Sequence, residues 1–273
     1  MTQKQRTSIG FIGAGNMAKA MIRGLIQSGF PANQILISAP NTQFLDNFTI
    51  LSNNSALAKQ VDVLIFAVKP DVLKSVILEL KPLIQEKKPL MISIVAGIST
   101  DQIYHWLEDE KRVAPLIRAM PNTPALINQA ITGVFTPTLL SATDLALSQQ
   151  ILSAIGSYIW LEKEAFLDIV TGLSGSGPAF IFYILEAMIS QAIEMGLPEA
   201  IAKTLALKTC VGSANLALSS DKSLSLLTQQ VTSKNGTTFA GLEQAKALKL
   251  AETLQSMIAA SVNRAKEIST KTH

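Results

Sequence analysis

The chain carries two successive hydrophobic patterns. Over residues 7–162, short apolar runs alternate with helical stretches. The runs predict strands at 8–12, 35–38, 62–68, 90–95, 112–120, 130–135 and 158–161, although Pro115 interrupts the fifth of them. Helices are predicted over 18–28, closed by Gly29, and over 141–155. Strands that are apolar on both faces and separated by helices predict a mostly parallel sheet covered on both sides. From about residue 165 the strand pattern stops. Residues 179–195 are apolar around most of a helical circumference, with Glu186, Ser190 and Glu194 as a narrow polar stripe. Gly196 ends that helix and Pro198 suits the first turn of the next, which runs to 218. A long final helix is predicted over 242–268, after a polar Ser/Thr-rich interruption at 219–238. The fold class expected is therefore α/β, with a doubly wound sheet domain at 1–164 and an all-helical domain at 165–273. A helix apolar nearly all round needs burial, and a domain of about 110 residues has limited interior. The helical domain is expected to pack against a second copy of the chain as a homodimer.

Composition narrows the chemistry. The 273 residues are 48% hydrophobic and 16% charged, which excludes a disordered chain. There are two His, one Cys, two Trp and three Tyr, and one of the His is the final residue. A zinc site needs three or four clustered ligands, so no metal is expected. His105 would be the base of any Ser-His-Asp triad, and no G-x-S-x-G turn accompanies it. The net charge of +3 is mild and scattered, so no nucleic-acid partner is expected. Apolar runs such as 63–68 fall far short of the roughly 18 residues of a membrane span, so no membrane partner is expected. No signal-peptide pattern precedes the first strand, and a cytoplasmic location is expected.

Six segments carry candidate chemistry. Gly13-Ala14-Gly15-Asn16-Met17-Ala18 is a G-x-G-x-x-A turn between a predicted strand and a predicted helix. In that context the first glycine permits the turn, the second admits a pyrophosphate to the backbone, and the third small residue lets helix meet sheet. The turn points to a Rossmann-type dinucleotide site. The second strand ends Ser38-Ala39-Pro40-Asn41-Thr42, with no carboxylate to repel a 2′-phosphate. That favours NADP (NADPH), with NAD as the second candidate; Ser38, Asn41 and Thr42 offer hydrogen bonds there, or are ordinary turn residues. Ala67-Val68-Lys69-Pro70 ends a buried strand, where Lys69 can meet a phosphate or be a solvated charge. Met120-Pro121-Asn122-Thr123-Pro124 is a rigid turn whose Asn122 can serve a nicotinamide or the turn itself. Thr171-Gly-Leu-Ser-Gly-Ser-Gly-Pro178 precedes the most apolar helix and reads as N-capping and close backbone approach. Val231-Thr-Ser-Lys-Asn-Gly-Thr-Thr238 can form a nest of amides for an anion, or a plain N-cap loop.

In this order and spacing, the first turn, Ala67–Pro70, Arg118–Pro124, Val170–Ala179 and Val231–Thr238 closely resemble the pyrroline-5-carboxylate reductase family, over nearly the whole chain from about residue 8 to 267. The resemblance implies a Rossmann domain followed by a helical dimerisation domain, with dimers assembling further into rings. It implies NADPH-dependent reduction of 1-pyrroline-5-carboxylate to L-proline. Carried over by position, Ile12, Gly13, Ala14, Gly15, Asn16 and Met17 hold the pyrophosphate, and Asn54 meets the adenosine side. Ala67, Val68, Lys69 and Pro70, with Ile94, Val95 and Ala96, line the nicotinamide side. Ser233, Gly236, Thr237 and Thr238 contact the small-molecule substrate, and Glu164 lies at its ring region. The family usually reads Ser-Pro-Gly-Gly-Thr-Thr where this chain has Ser233-Lys-Asn-Gly-Thr-Thr238, and an Asn common earlier in that stretch is Gln230. Asn235 can adopt the left-handed conformation, though less easily than glycine. Thr238 is the expected catalytic residue, its hydroxyl bonding the ring nitrogen.

Two rivals share the first turn. A β-hydroxyacid dehydrogenase needs a Lys on the first helix of its second domain, and none occurs between Glu164 and Ala202. A non-catalytic NADP-binding scaffold is favoured only by the altered Lys234-Asn235 loop.

Overall fold

The computed structural model describes residues 7–39, 48–51 and 53–271. In chain order the elements are β1 (Ile9–Ile12), α1 (Asn16–Gln27), β2 (Ile35–Ser38), β3 (Thr49–Leu51), α2 (Asn54–Ala58), β4 (Val63–Phe66), α3 (Pro70–Lys87), β5 (Leu90–Ser93), α4 (Thr100–Leu107), β6 (Leu116–Met120), β7 (Ala130–Phe135), α5 (Ala142–Ser153) and β8 (Gly156–Trp160). All-helical structure follows: α6 (Phe166–Val170), α7 (Gly177–Glu194), α8 (Glu199–Leu218), α9 (Leu224–Gln230), α10 (Thr237–Ala247) and α11 (Leu250–Lys271). The chain divides into two compact units, one of residues 1–176 with 261–273 and the other of residues 177–260.

Among the described residues the strands form one sheet in the order β3-β2-β1-β4-β5-β6-β7-β8. Every pair is parallel except β6 with β7. Because side chains alternate along a strand, each apolar run supplies both faces. Ile9, Phe11, Ile35, Ile37, Val63, Ile65 and Ile92 enter one core cluster with α1 and the end of α5. Ile12, Leu36, Leu64, Phe66 and Met91 enter the other, under α2, α3 and α4. All of these side chains are at most 7% exposed. Each such burial contributes about 1.5–3 kcal/mol, so the continuous apolar runs are what fix the sheet's central position.

Local signals set the helix ends. Lys69 precedes Pro70 at the first position of α3, where the missing proline N–H leaves no bond unmade. Ser99 and Gln102 form a reciprocal capping box on α4. Four sequence expectations change. The strand expected over 112–120 begins at Leu116, since Arg112 has a φ of +49° and Pro115 has no N–H to donate to the ladder, only its carbonyl accepting from the Met91 amide at 2.8 Å. The polar stretch 219–238 contains α9, started by Ser223, whose hydroxyl accepts from the Leu226 amide. The helix expected over 242–268 is two helices, broken at Leu248–Lys249, where Lys249 has a φ of +53°. The Gly/Ser segment is not a capped helix start. Residues Thr171–Gly175 form a π-helical turn that carries α6 on into α7. Residues 166–194 therefore form one helix long and apolar enough, by length and composition, to cross a membrane.

Candidate active site

The sheet order reverses direction between β1 and β4, the switch point where open α/β sheets bind ligands beyond their carboxyl strand ends. The rim of that crevice is made of backbone. The Gly13 amide donates to the Ser38 carbonyl at 2.8 Å, Ala67 to Ile12 at 2.9 Å and Ile94 to Phe66 at 3.1 Å. These bonds set the turns after β1, β4 and β5 side by side.

The turn after β1 fits a dinucleotide pyrophosphate. Gly13 has a φ of +100°, and a Cβ there would strike the Ala67 carbonyl. Gly15 is the opposite case, with an ordinary φ of −68° and nothing within 4 Å of where its Cβ would stand. No side chain caps α1 and no acidic residue lies in its first turn. The first-turn amides and the positive end of the helix dipole thus face open space, as a bound phosphate requires. Asn16 is exposed beside it, while Ala14 and Met17 pack on the core. Ile12 is 1% exposed, with its side chain in the core, so it offers the site main-chain atoms alone.

On the β2 side, Ser38 and Asn54 come together. Ser38 Oγ donates to Asn54 Oδ1 at 2.8 Å, and Asn54 Nδ2 donates to Glu79 Oε2 at 2.8 Å. Asn41 and Thr42 lie outside the described residues. On the β4–β5 side, Ala67 and Val68 are half-buried and Lys69 is exposed at the start of α3. Val95 is a core residue that presents backbone, between half-buried Ile94 and Ala96.

Glu164 stands in a buried cluster that no single motif announces. Its Oε1 accepts from the Thr100 amide at 2.7 Å and from Arg118 Nη1 at 2.9 Å, and its Oε2 accepts from Thr100 Oγ1 at 2.6 Å. Asp168 lies 3.9 Å from Arg118 Nη2. Sequence reasoning assigned no role to Thr100, Arg118 or Asp168. One signal was present: Arg118 is a charge inside an otherwise apolar strand, and Glu164 and Asp168 stand four apart. Asn122 proves structural, its Nδ2 donating to the Ser174 carbonyl and its Oδ1 accepting from the Ile131 amide. Among the described residues, no three His, Cys, Asp or Glu side chains are grouped to hold a metal ion.

The second unit holds the loop before α10. Asn235 takes the left-handed conformation, with a φ of +59°. The Gly236 amide donates to the Ser233 carbonyl at 3.0 Å, and a Cβ on Gly236 would strike Ser233 Oγ. Gly236 is the N-cap of α10 and no side chain caps the helix. Thr237 and Thr238 are exposed in its first turn, beside free amides. An uncapped helix start with two exposed hydroxyls beside it can accept an anion on its amides. In the same unit Phe182, Tyr183 and Met188 of α7 are more than half exposed, and a groove between α7 and α8 is lined by Phe182, Leu185, Ile189 and Leu207.

Residues 164–268 match the family described as pyrroline-5-carboxylate reductase dimerisation, and residues 8–97 match the one described as NADP oxidoreductase coenzyme F420-dependent. The chain is 37% identical over 266 residues to the pyrroline-5-carboxylate reductase of Pseudomonas aeruginosa, covering 95% of this chain and 96% of that one. The solved structure of a pyrroline-5-carboxylate reductase from Coxiella burnetii superposes with a TM-score of 0.88 at 36% identity, over 97% of this chain and 99% of that one. That of Plasmodium falciparum pyrroline carboxylate reductase, solved with NADP bound, gives 0.89 at 26% identity over the same shares. The chain belongs to the pyrroline-5-carboxylate reductase family.

Proposed function

We propose that this chain is an NADPH-dependent reductase that converts 1-pyrroline-5-carboxylate to L-proline, with NAD(H) as the weaker alternative cofactor. The observation that carries the reading is similarity to a pyrroline-5-carboxylate reductase over nearly the whole chain, at 37% identity over 95% of it. The geometry supports it through two helix starts without side-chain caps, at α1 and α10, one beside a dinucleotide crevice and one beside two threonines.

Bound NADPH supplies the hydride. The chain's own residues bind and orient. Residues 12–17 take the pyrophosphate on amides, and Ser38, Asn41 and Asn54 meet the adenosine end. Residues 67–70 and 94–96 form the nicotinamide side. The substrate carboxylate rests on the loop amides of Ser233 to Thr238, with Lys234 adding positive charge. The imine carbon gains the hydride and the ring nitrogen keeps a proton, giving the secondary amine. Thr238 Oγ hydrogen-bonds that nitrogen, and alignment of donor and acceptor supplies several kcal/mol. Residues 1–164 form the cofactor domain and residues 165–273 the domain of the substrate and the dimer contact, with Glu164, at the end of the first, set at the substrate's ring region. A second copy, not lipid, covers the apolar surface of residues 166–194, and dimers assemble into rings in the cytoplasm.

Purified protein is expected to oxidise NADPH with pyrroline-5-carboxylate, and not to reduce NADP with 3-hydroxyisobutyrate or phosphogluconate. Thr238→Ala should lower the rate about tenfold or more, the low end for a lost orienting or acid group, while Thr238→Ser retains it. NADPH binding without turnover on any of these substrates overturns the reading in favour of a scaffold. Unchanged rate and affinity in Thr238→Ala sink its role.

A further inference from the structure

The Glu164 cluster has a geometry that a substrate contact does not need. Arg118 and Glu164 side chains are 7% and 18% exposed, so the pair is largely withdrawn from water. Three of the roughly four acceptor positions of the carboxylate are already filled, two of them by one residue, Thr100. Thr100 is fully buried and is the first residue of α4. Its amide is one of the orphan donors of a helix start, and Glu164 puts a negative charge at the positive end of that helix. Ser99, the neighbouring N-cap, satisfies another first-turn amide, that of Gln102.

The segment 94–99 runs from the carboxyl end of β5 to this capped start and turns at Gly97, with a φ of +76°. It is anchored at its near end by the Ile94 amide on the Phe66 carbonyl. The adenosine end of a dinucleotide lies on the β2 side of the switch point, so the nicotinamide end lies over β4 and β5, against this segment. Thr100, Arg118 and Glu164 all belong to the first unit.

We infer that Glu164, held by Arg118, is a positioning residue that acts through Thr100 to fix the nicotinamide-side wall at 94–99. Arg118 in turn is shared between Glu164 and Asp168, so its fork ties β6 to α6 while aiming the carboxylate at α4. This rests on the reductase reading for its effect on turnover but not for its effect on cofactor binding.

The test is a double-mutant cycle between Glu164→Gln and Thr100→Val, read first by NADPH titration without substrate, following nicotinamide fluorescence. Each single variant is expected to weaken NADPH about fivefold, and the double no more than the worse single, because coupled residues in one network are not additive. In turnover, kcat should fall about tenfold with KM for pyrroline-5-carboxylate nearly unchanged, as misplaced reacting atoms lower kcat. Thr100→Ser, which keeps the hydroxyl, should recover most of the affinity. If Thr100→Val does not fold by circular dichroism, Arg118→Lys takes its place with the same outcomes. A silent Thr100→Val beside an impaired Glu164→Gln overturns the proposal and leaves Glu164 a direct contact alone. Multiplicative effects in the double variant overturn it as well. The substrate-free titration keeps its meaning even if pyrroline-5-carboxylate proves not to be the acceptor.

Discussion

Gly13 and Gly15 sit two residues apart in one turn, and their surroundings predict opposite consequences for the same substitution. At Gly15 the backbone is one that alanine adopts freely, and the space a Cβ would fill is empty of protein. Gly15→Ala should gain about 0.4–1 kcal/mol from the less flexible unfolded chain. It should lose several tenths because alanine is a poorer N-cap than glycine. The two nearly offset, so the melting temperature should move by less than about 2 °C. Its cost falls on the cofactor, since the methyl stands where a phosphate must approach the α1 amides. One lost charge-assisted hydrogen bond is worth about 1.5–3 kcal/mol, or roughly 10- to 150-fold in NADPH affinity. Gly13→Ala meets a φ of +100° and the Ala67 carbonyl. Backbone strain of about 1–3 kcal/mol should lower the melting temperature by roughly 4–10 °C. Differential scanning fluorimetry and NADPH titration, at equal protomer concentration because self-association shifts apparent stability, measure both. A Gly15→Ala protein that binds NADPH like the parent, or that melts as early as Gly13→Ala, refutes the reasoning.

Burial pushes the Tyr104 phenol up to about 12, and its hydroxyl donates to the Ala114 carbonyl at 2.9 Å. Because the folded state favours the neutral form, its stabilisation is complete below pH 10 and drains away as pH rises from about 10 through 12. Two pH units correspond to about 2–3 kcal/mol, so the parent should lose that much more stability than Tyr104→Phe over this window in chemical unfolding. Equal losses would remove the account. Phe182 is 65% exposed within one chain. Phe182→Glu should raise the dissociation constant of self-association at least tenfold in analytical ultracentrifugation, since a twofold interface uses each residue twice. Unchanged association would place the dimer contact elsewhere.

The sheet was legible because both-face burial demands uninterrupted apolar runs, and strands such as Ile35–Ser38 and Ala130–Phe135 stand where the pattern put them. The β3 strand was not, since three residues carry no measurable period. The break at Leu248–Lys249 was hidden because a lysine at positive φ has no sequence signal of the kind glycine gives. The π turn at Thr171–Gly175 was misread for a related reason: its glycines and serines also suit a helix start. In the site, glycine turns were readable because each glycine answers a steric need. Asn54 was set on the adenosine side by resemblance alone, and its bond from Ser38 has no signal in the spacing. The Arg118–Glu164–Thr100 cluster joins residues 46 and 64 apart, and such pairing is created by the fold alone.

The crevice rim is drawn by main-chain atoms: the amides of Gly13, Ala67 and Ile94 on the carbonyls of Ser38, Ile12 and Phe66. Such a rim asks of evolution only that the chain keep its path. Side chains around it can drift as long as they stay apolar inward and small at the turns. A Plasmodium relative shares 26% of its residues with this chain yet superposes with a TM-score of 0.89. A rim drawn in backbone leaves divergence few side chains to stumble on at this edge of the sheet.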